Sequence, residues 1–248
     1  MSALEIIKPS WSVSTRVHAA FTLRTGGVSA PPFGSLNLGA HVGDAPEAVA
    51  ENRRRVRDQL RLPAEPSWLQ QVHGNAVADL DQVAAASPAD AALTRRLDRV
   101  CAIQVADCIP VLFAASDGSA VAAAHAGWRG LAGGILDATV RMLSEVARVE
   151  PGRLCAWMGP GIGQDHFEVG EDVRLAFPTD AATDAAFVRN PRGRWQCNLY
   201  ALARSRLLRL GVNEVAGGDD CTFSDAGRFF SFRRDGRCGR MAALVWLG

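Results

Sequence analysis

The chain has 248 residues, 48% of them hydrophobic, with 27 Lys+Arg against 26 Asp+Glu for a formal charge of +1. That length is enough to bury a sizeable core, the composition excludes a disordered chain, and the near-neutral balance excludes the basic footprint of a nucleic-acid binder. No basic-then-apolar leader opens the sequence and no apolar run reaches membrane-spanning length, so a soluble cytoplasmic protein without membrane contact is expected, with residues 1–248 forming a single domain.

Residues 16–23, RVHAAFTL, alternate Val17, Ala19, Phe21 and Leu23 on one face, the period-two pattern of a half-buried strand. Residues 24–39 form a long Gly/Pro/Ser loop of the kind that lines sites. His41 follows it, as a site residue or as a buttress for the next helix. Asp44 predicts the N-cap of a helix over APEAVAENRRRVRDQL, with Pro46 in its first turn and Glu47 three residues after the cap. Of Arg53, Arg54 and Arg55, one is expected to face inward with Val49 and Val56. The alanine-rich tract 80–100, with Ser87-Pro88, reads as a surface connection.

VCAIQVADC, IPVLFAA, AVAAAH and LCAWMG then follow between residues 100 and 159, short and bounded by Asp, Gly or Pro as strands are. Between the last two, a helix carries Leu136, Val140, Leu143 and Ala147 in one stripe. Residues 177–195 read as a loop with some short structure. LYALARSRLLRL reads as a helix with Asn198 as N-cap and Gly211 as its stop. FFSF and RMAALVWL near the C-terminus read as strands. Successive strands with helices among them predict an α/β (α+β) mixed-sheet fold.

Three apolar runs end on a nitrogen or sulfur donor: WLQQVHGN at His73, IQVADCIPVLF at Cys108 and AVAAAHAGWRG at His125. Strand ends hold their loops rigidly, and sites are built there. Two histidines and a cysteine leave zinc one open position, the pattern of a catalytic site. Imidazole and thiolate also suit copper. Spacing alone leaves other uses open. The three are equally a core thiol with hydrogen-bonded histidines, or a pair in which Cys108 is the nucleophile and His125 or His73 the base. Asp107 is then an orienting group or a capping carboxylate. The six cysteines are scattered without a C-x-x-C pair and read as free thiols of a reducing compartment. In HAGWRGLAGG, glycines 127, 130, 133 and 134 admit close approach of an anion to a helix start, with Arg129 beside it. Glycines 159, 161 and 163, interrupted by Pro160, make a tight turn rather than a dinucleotide fingerprint, and His166 beyond them reads as structural.

Together, FTLRTGGVSAPPFGSLNLGAHVGDAPEAVAENRRRV, QQVHGNAV, ADCIPVLF, AHAGWRGLAGGI, GPGIGQDHFEVG and FFSFRRDGRCGRMAALVWL resemble the YfiH/YlmD family, also called multicopper polyphenol oxidase or laccase-domain proteins. The matching segments span nearly the whole chain in the family's order. The resemblance implies a mixed-sheet sandwich related to the cytotoxic-necrotizing-factor cysteine hydrolases, with zinc held by His73, Cys108 and His125. It implies purine nucleoside phosphorolysis, in which adenosine, inosine or methylthioadenosine reacts with phosphate to give base and sugar 1-phosphate, together with adenosine deaminase activity. It also implies two alternatives: copper-dependent polyphenol oxidation, and a cysteine amidase editing UDP-muramoyl peptidoglycan precursors with Cys108 as nucleophile. Under the first reading the partners are a nucleoside and phosphate, and the chain is a monomer or homodimer. Arg54, Arg129 or the helix start after Gly130 would hold phosphate, and Gln71 and Asn37 would bond base or ribose. The sequence departs from the family pattern at Val105 (threonine before ADC), Phe232 (tyrosine), Cys238 (threonine) and Asn198 (aspartate). No metal ligand is lost, but Phe232 bears on substrate range.

Overall fold

A computed structural model describes residues 4–82 and 88–248; Ser87 and the alanines before it lie outside the described residues. In chain order, β1 (Ile6–Ile7) and β2 (Val17–Thr22) precede α1 (Pro46–Leu60), β3 (Ser67–Trp68), β4 (Val77–Asp79), β5 (Ala91–Thr94) and β6 (Val100–Val105). The hairpin of β7 (Ile109–Ala115) and β8 (Val121–Ala126) leads into α2 (Trp128–Ala132), α3 (Ile135–Ala147) and β9 (Leu154–Met158). Next come β10 (Glu168–Val169), α4 (Glu171–Leu175), α5 (Ala181–Ala185), β11 (Phe187–Arg189) and β12 (Trp195–Cys197). The chain ends with α6 (Leu199–Arg209), β13 (Glu214–Gly217), α7 (Phe232–Asp235) and β14 (Met241–Leu247). No helix among the described residues is long and apolar enough to cross a membrane.

The expected mixed-sheet α/β sandwich is what forms. One sheet runs β1-β2-β14-β6-β3, a second β13-β9-β7-β8-β5-β4, and a small third β10-β12-β11. Most pairs are antiparallel, while β3–β6, β4–β5 and β9–β13 are parallel. Side-chain alternation sorts the two large sheets into layers. On the second sheet, Val111, Phe113, Ala122 and Ala124 face α3 and α6. Its opposite face, with Leu112, Val121 and Ala123, packs on Ile103, Met241 and Val245 of the first sheet. The outer face of the first sheet, with Ala102, Leu244 and Trp246, lies under Val56 of α1. The order is therefore helix, sheet, sheet, helices. The alanines of β8 are what this stacking needs: Phe113 pairs in register with Ala122 on one side and Ala156 on the other, and fills the space they leave.

Several local expectations change. Ala45 rather than Asp44 is the cap residue of α1, and no side chain caps it. The Asp44 carboxylate is tied instead to the preceding loop, accepting from Ser29 Oγ (2.6 Å) and Asn37 Nδ2 (2.9 Å). The tract expected to be a surface connection contains β5, whose four residues are all buried between β4 and β8. FFSF is not a strand. Phe229 and Phe230 are buried in irregular chain, and Ser231 caps α7 by accepting from Arg234 N (3.2 Å). In β2, Ala20 and Thr22 are buried as well as Phe21, because the sheet is covered on both faces. Asn198 does cap α6, accepting from Ala201 N (2.9 Å), and Gly211 (φ +88°) follows the helix. Arg53 is the inward-turned arginine: its guanidinium donates to Leu38 O (3.0 and 2.8 Å) and lies over Trp68.

Phe113→Ala should cost about 3–5 kcal/mol of stability, since the flanking alanines cannot fill the cavity. Equilibrium urea unfolding, with its slope compared to the unmodified chain's, measures it.

Candidate metal centre

The β7–β8 hairpin brings two donors together. Pro110 pairs with His125 and Ile109 with Ala126, so Cys108, one residue before β7, lies beside the chain leaving β8. Gly127 passes directly over the sulfur. A Cβ there would lie 2.7 Å from Cys108 Sγ and 3.5 Å from His73 Cδ2, so no larger residue fits without displacing the thiol. His73 arrives from the loop between β3 and β4, and its ring stands edge-on to that of His125, centroids 4.8 Å apart. One donor atom from each of His73, Cys108 and His125 falls within 4.8 Å of the others. His125 is buried, Cys108 half-buried and His73 exposed, so the group opens from floor to rim.

The residue that holds this group together is Asp90, which stands immediately before β5 and is fully buried. Its carboxylate accepts from three successive backbone N–H groups, Val72 (3.1 Å), His73 (2.9 Å) and Gly74 (2.7 Å). It also bonds His125 Nδ1 at 2.8 Å. A carboxylate only accepts, so Nδ1 carries the proton and Nε2 is left to ligate. Burial by itself would raise the Asp90 carboxyl, but the bonds from His125 and the loop N–H groups outweigh it and hold it below the ordinary value. The same bonds hold His73 at φ +60°, a left-handed conformation that costs a non-glycine residue roughly 1–2 kcal/mol. Asp107, which directly precedes Cys108, is also left-handed at φ +88°. Its carboxylate accepts from Thr222 Oγ1 (2.7 Å) and from Arg233 N (2.7 Å) at the start of α7. It is the capping carboxylate of the two uses expected for it.

Burial opposes ionisation of Cys108, yet the charge and hydrogen bonds of His125 and His73 outweigh it and bring the thiol below its usual range. Burial likewise opposes protonation of His125, and the Cys108 and Asp90 charges overcome it, so a metal bound at Nε2 would displace a proton there. An ionised sulfur and two imidazoles, one oriented by a buried carboxylate, are a donor set for zinc or copper, and the gap that Gly127 leaves over the sulfur keeps it unobstructed. The centre lies in a cleft of about 470 Å³ walled by Trp128, Phe167 and Phe232 and rimmed by Arg129, Arg233 and Arg240.

A family model described as multi-copper polyphenol oxidoreductase laccase matches residues 18–248. The chain belongs to this family, whose other name is YfiH. The purine nucleoside phosphorylase YfiH of Escherichia coli is 46% identical to it over 245 residues, 98% of this chain and 99% of that one. A purine nucleoside phosphorylase of Pseudomonas aeruginosa is 51% identical over 244 residues, 97% and 98% of the two chains. Among solved structures, a Neisseria meningitidis protein superposes with a TM-score of 0.91 at 45% identity, covering 98% of each chain. YlmD of Geobacillus stearothermophilus superposes at 0.87 with 29% identity, covering 99% of this chain and 98% of its own.

Of the residues expected to serve this YfiH-family site, His73, Cys108 and His125 come together and Arg129 and Gln71 reach the cleft. The Gln71 amide is already committed. It donates to Gln104 O (2.9 Å) and accepts from Gln104 N (2.8 Å), prolonging the β3–β6 pairing toward His73. Arg54 is not at the site: it lies on the outer face of α1, paired with Glu51 and Asp58. Asn37 is not among the cleft residues either. It is fully buried, bonded to Asp44, to Gly39 and to the Arg240 N–H. The glycine-rich turn leads into a helix of only five residues and is tightly packed, since a Cβ at Gly130 would lie 3.1 Å from His125 O. His166 stacks on Phe223 away from the cleft, as its structural reading expects. His41 lines the cleft, its pKa lowered by burial and by the Arg240 and Arg53 charges, so its imidazole is neutral. Asp90, Arg233, Arg240, Trp128 and Phe167 are residues at the site that pattern reading missed, whereas Phe232 was singled out through its departure from the family pattern. For Asp90 the available signal was an acidic residue directly before the short apolar run AALT.

Asp90→Asn should weaken metal binding about 10- to 100-fold, because the amide cannot accept from every donor that the carboxylate satisfies. Competition with a chromophoric chelator reads the affinity, and circular dichroism confirms the fold.

Proposed function

We propose that this chain is a zinc-dependent purine nucleoside phosphorylase that accepts adenosine, inosine and methylthioadenosine and also deaminates adenosine. The observation that carries the reading is the donor triangle of His73, Cys108 and His125 on the floor of an aromatic-walled, cationic cleft. Near-full-length similarity to proteins named purine nucleoside phosphorylases supports the substrate class. Zinc is favoured over copper because a phenol oxidase reducing oxygen to water uses several coppers, and the described residues hold a single group of this kind. Zinc bound there would supply a Lewis acid at the cleft floor.

The protein groups divide the remaining work. Trp128, Phe167 and Phe232 offer apolar ring faces for a purine. Asp90 keeps His125 in one tautomer and one orientation. The arginine rim draws phosphate toward the sugar. In phosphorolysis a phosphate oxygen bonds C1′ as the C1′–N9 bond breaks, and the electron pair leaves with the base, which takes up a proton. In deamination a water oxygen bonds C6 as the C6–N6 bond breaks, releasing ammonia and inosine. The six free cysteines fit the reducing cytoplasm, and residues 1–248 act as one catalytic unit.

A second reading is favoured by one observation. Cys108, His125 and Asp90 are also ordered as nucleophile, base and orienting carboxylate, as a cysteine amidase acting on UDP-muramoyl peptides requires.

Adenosine incubated with the zinc-loaded chain should release adenine only when phosphate is present, and inosine with or without it. His125→Ala should lose both zinc and turnover; full zinc occupancy with full turnover in that variant would sink the reading. UDP-muramoyl peptide cleavage by metal-stripped protein, abolished in Cys108→Ser, would favour the amidase instead.

A further inference from the structure

We propose that the phosphate co-substrate is seated between Arg233 and Arg240, on the α7 side of the cleft, and not at the glycine-rich turn beside Arg129. The inference rests on the phosphorylase reading for the identity of the anion, and on side-chain geometry for the seat.

Both arginines are held in the same way. Arg233 Nη1 donates to Glu168 O (2.7 Å), and its guanidinium lies 5.1 Å from the Phe167 ring centre. Arg240 Nη1 donates to Cys238 O (2.9 Å) and Gly239 O (3.1 Å), and its guanidinium lies 5.8 Å from the ring centre of Phe232. In each case Nη1 is fixed by main-chain carbonyls, while the Nε–Nη2 edge has no partner among the described residues. That edge is the fork that takes two oxygens of a phosphate at once. The ordering cost of holding a long side chain has therefore been met before the anion arrives.

Positive charge is in excess where these forks lie, with Arg129, Arg233 and Arg240 against Asp107 and Cys108 in the cleft lining. Among the described residues neither arginine has a carboxylate partner, and the nearby acidic groups are committed elsewhere. Glu168 is paired with Arg192, and Asp235 with Arg234. Asp107, the carboxylate lining the cleft, is occupied by Thr222 and the Arg233 N–H. His41, beside Arg240, is neutral. Both arginines line the same cleft as His73, Cys108 and His125, and Phe232 of that wall is 57% exposed, so the seat opens onto the space of the donor triangle. Arg129 differs: its guanidinium rests on Trp128, and among the described residues no hydrogen bond fixes it.

Calorimetric titration of inorganic phosphate into the zinc-loaded chain tests the seat without turnover. Arg233→Gln, at an exposed position, and Arg240→Lys, which keeps the charge and removes the fork, should each weaken phosphate binding roughly 10- to 100-fold. Both should keep their zinc content. In turnover the KM for phosphate should rise in step while the KM for nucleoside stays within about twofold. Unaltered phosphate binding in both variants, or a loss that follows Arg129→Gln alone, overturns the seat. A nucleoside 5′-monophosphate that binds more tightly than phosphate and is lost in the same variants overturns the co-substrate assignment in favour of a phosphorylated substrate. If phosphate binds and is lost as expected while no base is released, the seat stands and the phosphorylase reading fails.

Discussion

A single buried carboxylate sets the geometry of this centre. Taking an ionised carboxylate out of water costs several kcal/mol unless its oxygens are satisfied. Asp90 meets that cost with three main-chain N–H groups and an imidazole. The same four bonds turn the 72–74 segment into a tight bend, hold His73 in a left-handed conformation and fix the tautomer of His125. Two of the three ligands are therefore positioned by one group. His125 N also donates to Asp90 O at 2.7 Å, so strand pairing and site geometry are joined at this residue. Local folding of the loop and placement of the two histidine donors rest on the same bonds.

The sandwich is legible from sequence where its strands are. The runs that became β6 to β9 are short, apolar and punctuated, and each of the three ligands stands out as a polar residue where an apolar run stops. Asp90 escapes because its strand has no alternation to read. The four residues of β5 are buried on both faces, so Ala91 to Thr94 look like more of the alanine-rich tract around them. FFSF failed for the opposite reason. Its apolar residues suggested a strand, but Ser231 is a helix cap, and its place in an aromatic run disguised it.

The arginines of α1 show what period alone can decide. Val49, Arg53 and Val56 stand at helical spacing on one face, which turns Arg53 inward and leaves Arg54 about 100° away, among Glu51 and Asp58. Arg54 was thus excluded from the site by the helix that carries it. Asn37 was beyond such reasoning. A polar residue in a Gly/Pro loop reads as available, and only the folded loop shows its amide consumed by Asp44, Gly39 and the main chain of Arg240. Its influence on the cleft runs through that last bond, which anchors the backbone from which Arg240 projects.

The departure at Phe232 gains a physical meaning in the same region. A phenylalanine here has no hydroxyl to donate or accept, and its ring is more than half exposed beside the Arg240 guanidinium. An exposed aromatic face is costly in water unless something covers it, and a cation over a ring covers it with an attractive contact. Arg240 does so from one side, while the other side stays open to the cleft. The missing hydroxyl leaves an apolar plate beside Arg240. The wall thereby sets an apolar ring beside cationic side chains within one cleft.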